Sequence, residues 1–224
     1  MFKKACENIR ESIYLIDGSR TVRRGADKYE TSDSCGTAFL VSPGYLVSVA
    51  HVTHKNNSRK EPQNTKFQII RGPELGNPME IATLVAKHPT DDISIFKIKE
   101  KENQKPIKFN LSEIRRGESC GILGFPLTSV TYSNEQKTLG AIERFQGGHI
   151  SGFNDGIYEL DIPTYGGSSG CPCFGVDGGV IGMQFATLHM KNDKGEKGEH
   201  LSISAVIPAE RIISFLKEQK IPYN

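Results

Sequence analysis

The segment Gly166-Gly167-Ser168-Ser169-Gly170-Cys171-Pro172 is the part of this chain best suited to covalent chemistry. A serine hydroxyl is a weak nucleophile until a base takes its proton. Acyl transfer also needs N–H groups aimed at the oxyanion that forms. Glycines beside the serine allow a tight loop that turns backbone N–H groups inward. The segment therefore offers Ser169 as nucleophile and the N–H groups of Gly167 and Ser169 as an oxyanion hole. A surface turn rich in glycine and serine has the same composition, so the base must be found independently.

His51 ends the apolar run Leu46-Val47-Ser48-Val49-Ala50. A neutral imidazole can accept the serine proton and later pass it to the leaving amine. Asp92 opens the run Ile93-Ser94-Ile95. A carboxylate at the start of an apolar strand is costly unless paired. The far N–H of the imidazole is a partner that would also set its tautomer. Asp92 adjoins the strand directly and is preferred to Asp91. Taken singly, a strand-end histidine and a turn aspartate are common structural residues. Their order along the chain, His then Asp then Ser, is one of the three orders in which such triads occur.

With these residues in place the chain resembles the trypsin-like (chymotrypsin-fold) serine proteases. The likeness is carried by GTAFLVSPGYLVSVAHV around His51, DDISIFKI around Asp92, DIPTYGGSSGCP around Ser169 and the following GGVIGMQF. It spans roughly residues 35–210 and is similar in flavour to bacterial glutamyl endopeptidases and Deg-type proteases. The resemblance implies a serine endopeptidase acting on a protein or peptide substrate. His51 and Asp92 would come from a first β-barrel, Ser169 from a second, with the cleft between them. It also implies a substrate pocket bearing Pro163, Thr164 and Gln184. Pro163 lacks the carboxylate that selects Arg or Lys. Gln184 replaces the histidine with which glutamyl endopeptidases hold an acidic side chain. A small or polar uncharged residue is therefore expected before the cut. Ser168 stands where zymogens of the family carry Asp, so activation through a freshly cut N-terminus is not expected. Cys171 is assigned to packing, although related viral enzymes use cysteine as nucleophile.

These side chains need a scaffold of short strands. Residues 11–17 read as a first strand. Residues 35–52 hold two apolar runs around Ser42-Pro43-Gly44, a hairpin signal. KFQIIRG, MEIATLVAKH and DISIFKIK continue the pattern, and a similar series fills the second half. Residues 189–200 read as a polar loop. Residues 208–220 open with Pro208 and carry Ile212, Ile213 and Leu216 at helical spacing. The fold expected is all-β: two six-stranded antiparallel β-barrels with a C-terminal α-helix. The first would occupy 1–110 and the second 111–224.

The 224 residues carry a formal net charge of +2, with 37% hydrophobic and 24% charged residues, as a globular protein does. Nucleic acid is not an expected partner, and Arg20, Arg23 and Arg24 read as a solvated loop. No run of eighteen apolar residues predicts a membrane span, and the start does not read as a secretory signal. Five cysteines in no disulfide-like spacing suggest free thiols and a cytoplasmic protein. His51 and His54 lack a third ligand at metal spacing, so no metal and no cofactor are expected. His149 has no assigned role. Two alternatives to an active enzyme are a protease-like scaffold that binds peptides and a protease gated by an activating partner.

Overall fold

Short strands with one buried face cannot stand alone, and here they close on themselves twice. The structure, a computed structural model, describes residues 1–17, 20–23, 29–32, 35–53, 66–71, 80–100, 102–126, 142–191 and 197–224. The elements run α1 (Lys3–Arg10), β1 (Ile13–Asp17), β2 (Arg20–Arg23), β3 (Tyr29–Ser32), β4 (Cys35–Ser42), β5 (Tyr45–Ser48), β6 (Lys66–Arg71), β7 (Glu80–Lys87) and β8 (Ser94–Lys97). The second half holds β9 (Ser119–Gly124), β10 (Arg144–Asn154), β11 (Ile157–Leu160), β12 (Pro172–Gly175), β13 (Val180–Lys191), β14 (Lys197–Pro208) and α2 (Ala209–Glu218).

The strands form two closed antiparallel barrels, in the orders β1-β4-β5-β8-β7-β6 and β10-β11-β14-β13-β12-β9. The expected double barrel with a terminal helix is therefore present. Closure gives each strand two neighbours within its barrel and so removes most of the unpaired edge that would otherwise invite aggregation. The Pro43-Gly44 turn joins β4 to β5, with Gly44 at φ +79, a conformation that other residues rarely adopt.

One core cluster runs across both barrels. Phe39, Phe67 and Phe96 of the first lie in the same apolar body as Phe125, Phe174 and Met183 of the second and Phe215 of α2. The rings of Phe67 and Phe96 meet edge to face, 4.9 Å between centroids. A smaller cluster, with Cys120, Ile150, Leu160, Cys171, Cys173 and Val206, fills the second barrel alone.

Three sequence expectations change. α1 precedes the first strand, where no helix was expected. Its Ala5 and Ile9 are buried, and the Phe2 ring packs 5.2 Å from that of Phe145. The spacing Phe2, Ala5, Ile9 was the available signal. The segment 189–200 is not a loop over its whole length: His189 pairs with His200 and Lys191 with Lys197, as arms of one hairpin. Backbone pairing makes that ribbon, and polar composition does not report it. Arg20 and Arg23 lie in β2, which pairs with β3 in a two-stranded sheet, so they are not loop residues. Arg24 and His54 lie outside the described residues.

Candidate active site

His51 opens a single 3₁₀ turn, His51–Thr53, directly beyond β5. The turn is closed by Thr53, whose N–H and hydroxyl both donate to the Ala50 carbonyl, at 2.9 and 2.6 Å. Asp92 lies just before β8 and grips His51 at two points. Its Oδ1 accepts from the His51 backbone N–H at 2.8 Å, and its Oδ2 lies 2.5 Å from Nδ1. A carboxylate is acceptor-only, so the ring proton belongs on Nδ1 and Nε2 is left with its lone pair. Asp92 keeps 25% of its side-chain surface and His51 42%, so the pair opens toward solvent. Asp91 is engaged elsewhere: Arg211 of α2 donates to it through Nε at 2.8 Å and through Nη2.

The serine loop is shaped by glycines. Gly167 and Gly170 take φ +94 and +90 on either side of Ser168 and Ser169. A Cβ on Gly170 would lie 1.9 Å from the Thr37 carbonyl oxygen and 2.6 Å from Ser48 Oγ, so no side chain fits there. The loop's own N–H groups divide in two. Ser168 N donates to Tyr165 O, Gly170 N to Gln184 O and Cys171 N to Ser168 O, at 2.8–2.9 Å. The N–H groups of Gly167 and Ser169 have no acceptor among the described residues.

The loop packs against the first barrel beside the histidine turn. Ser169 O accepts from Thr37 N of β4 at 2.8 Å. A Cβ on Gly36 would sit 2.6 Å from Val52 Cγ1 and 2.9 Å from Ser169 O, so Gly36 leaves space where β4, the residue after His51 and the serine meet. Ser169 is half-buried, and its Oγ makes no hydrogen bond to His51 among the described residues. In unliganded sites such bonds are often long and tighten only with substrate.

The three residues expected to form a substrate pocket differ in setting. Pro163 is exposed, and its carbonyl accepts from Gln146 Nε2. Thr164 is buried and its hydroxyl bonds that of Thr187, a partner the sequence reading did not single out. Gln184 is buried; its Nε2 donates to Ala186 O at 3.0 Å, while its Oε1 has no partner among the described residues. Cys171 is 1% exposed and faces inward, so near-contact with it leaves Gly124 no room for a Cβ. Burial pushes its thiol up to about 12, far from the range of a reactive thiolate. His149 pairs with Asp161 through Nδ1 at 3.3 Å and through its N–H at 2.5 Å, on an exposed surface. Among the described residues no group of three or more His, Cys, Asp or Glu could hold a metal ion.

Two closed antiparallel barrels, with a histidine–carboxylate pair on one and a glycine-flanked serine loop of the other packed beside it, have the architecture of the chymotrypsin-like serine peptidases. Residues 36–183 match the trypsin-like peptidase domain, and the chain belongs to that family. Among curated relatives it is 30% identical over 189 residues to a probable periplasmic serine endoprotease DegP-like of Chlamydia pneumoniae, covering 81% of this chain and 34% of that protein. It is 29% identical over 158 residues to an uncharacterized protein, y4bJ, of Sinorhizobium fredii, covering 70% of this chain and 22% of that one. The chain thus spans about a quarter to a third of the curated relatives it matches. Among solved structures, the HtrA-type protease AlgW with decapeptide superposes with TM-score 0.70 at 19% identity, over 97% of this chain and 67% of that one. The same protease with tripeptide gives 0.69 at 19% identity, over 97% and 63%.

Proposed function

We propose that this chain is a serine endopeptidase that cleaves proteins or peptides through an acyl-enzyme. Ser169 Oγ attacks the scissile carbonyl while His51 Nε2 takes its proton. The N–H groups of Gly167 and Ser169 receive the oxyanion. His51 then protonates the leaving amine, and a water activated by the same imidazole releases the acyl group. Asp92 holds the imidazole in the tautomer this needs. The observation that carries the reading is the two-point grip of Asp92 on His51, on the barrel against which the serine loop packs.

A peptide would enter as an added strand. Beyond Gln184, β13 pairs with β14 on one side only among the described residues, which leaves an edge for an extended backbone. The Thr164–Thr187 pair and Gln184 Oε1, an acceptor with no partner among the described residues, suit a small or uncharged polar side chain in the pocket. A cleavage profile dominated by Glu, or by Arg and Lys, would reject this specificity.

A second reading has one observation in its favour. The Ser169–His51 hydrogen bond is not made among the described residues, and glycines flank the loop. A partner that reshapes the loop would then switch the enzyme on. A fluorophosphonate probe separates the readings. Prompt labelling of Ser169, absent in Ser169→Ala, supports an active enzyme, and labelling only with a partner supports gating. No labelling under either condition reduces the chain to a peptide-binding scaffold.

We also assign the chain to the cytoplasm. All five cysteines are free thiols, as a reducing compartment maintains them. Among the described residues no helix is long and apolar enough to cross a membrane. Recovery of the chain in a periplasmic or extracellular fraction would overturn the assignment.

A further inference from the structure

Thr37 is a fully buried polar residue of β4, in the first barrel, yet most of its hydrogen bonds leave that barrel. Its N–H donates to Ser169 O at 2.8 Å. Its carbonyl accepts from Ser48 Oγ at 2.7 Å. Its hydroxyl meets three groups of the second barrel: Gly167 O at 3.0 Å, the Phe125 N–H at 3.0 Å and Cys171 Sγ at 3.4 Å. A threonine hydroxyl has one proton and two lone pairs. Phe125 N–H can only donate, and the buried Cys171 remains a protonated thiol that donates as well. Both lone pairs are thereby taken, and the hydroxyl proton must go to Gly167 O.

We propose that the Thr37 hydroxyl is a positioning residue for the oxyanion hole: it pins the Gly167 carbonyl while the Thr37 backbone pins that of Ser169. This rests on the endopeptidase reading above. Gly167, at a positive φ, would otherwise leave the peptide that joins it to Ser168 free to rotate. With that peptide held at its carbonyl by Thr37 and at its Ser168 N–H by Tyr165 O, the Cα of Gly167 is fixed and its own N–H projects from a set point beside that of Ser169. The first barrel thus contributes to the oxyanion hole without supplying a donor to it.

The test compares Thr37→Val, which keeps the shape and loses the hydroxyl, with Thr37→Ser, which keeps the hydroxyl. Thr37→Ala is carried alongside in case valine does not fold. On a peptide substrate, Thr37→Val lowers kcat about 10- to 100-fold, as loss of catalytic geometry does, with KM within about twofold. Thr37→Ser returns kcat to within about threefold of the parent. Hydrogen exchange of the 165–171 peptide, read by mass spectrometry, quickens in Thr37→Val and not in Thr37→Ser. Parental kcat and exchange in the hydroxyl-free variants would overturn the proposal, and so would a serine variant as impaired as valine. A parent with neither turnover nor probe labelling would sink the endopeptidase reading instead. The exchange comparison would still decide what Thr37 does to the loop.

Discussion

Asp92 has to satisfy two donors at once, the His51 N–H and the ring N–H at Nδ1. An amide cannot do this. In Asp92→Asn the side-chain oxygen can serve one donor only, and the NH₂ then faces the other position. With the backbone N–H satisfied, Nδ1 must become an acceptor and the ring proton moves to Nε2, where the base should be. The fold survives, but kcat is expected to fall about 10⁴-fold, the loss this exchange brings in a Ser-His-Asp enzyme. Steady-state assay of the purified variant beside its parent checks it, and a loss under tenfold would contradict the role given to Asp92. Cys171 gives a second outcome at this scale. Burial raises its thiol to about 12, against an ordinary 9.0. A folded value raised above the unfolded one means that the contribution is complete below pH 9 and is lost as pH rises toward 12. The loss is roughly 1 kcal/mol per pH unit. Urea unfolding across pH 8 to 10 should therefore decline more steeply for the parent than for Cys171→Ala. Parallel declines would contradict it. Ser169, His51 and Asp92 are proposed from short local patterns, and of these the structure joins Asp92 to His51. Thr37 was not legible in that way, because its partner Gly167 is 130 positions away and no local pattern marks a hydroxyl that serves another barrel.

At the level of elements, the serine loop and α2 each depend on one contact that spacing could not reveal. Gly170 combines a positive φ with backbone packed against its Cα, so Gly170→Ala brings strain and a clash together. That variant is expected to fold poorly or to lose probe labelling altogether. Retention of both stability and labelling would show that the loop can move aside. Arg211 of α2 reaches Asp91, the neighbour of Asp92, and its Nη1 also donates to Gly156 O at 3.3 Å. The terminal helix therefore braces the segment that carries Asp92, the carboxylate that grips His51. Arg211→Met keeps the apolar stem and leaves Asp91 short of a charged donor, a loss of about 2 kcal/mol by analogy with hydrogen bonds to charged groups. Its partial exposure puts the expected effect at or below that figure, measured as the shift in urea midpoint at constant m-value. The helix itself was readable from Ile212, Ile213 and Leu216. The brace was not, since Asp91 and Arg211 lie 120 positions apart.

For the molecule as a whole, the question is whether two barrels make two folding units. Each closes its own hydrogen-bond ladder, which would permit independence. The apolar core argues the other way, because one cluster joins Phe39, Phe67 and Phe96 to Phe125, Phe174, Met183 and Phe215. Separating the barrels would expose that shared surface and strip Thr37 of partners on both sides. Exposed apolar area costs about 25 cal/mol per Å², so a barrel left alone would lose much of a margin that is only about 5–15 kcal/mol for a whole domain. Thermal unfolding is therefore expected to be a single transition, with calorimetric and van't Hoff enthalpies in agreement. The tyrosines supply the near-ultraviolet signal that must move together with the backbone signal, because the chain has no tryptophan. Two resolved heat-capacity peaks would mean that the serine loop and the histidine turn belong to separately stable bodies. The active-site geometry would then depend on docking between barrels rather than on one continuous core.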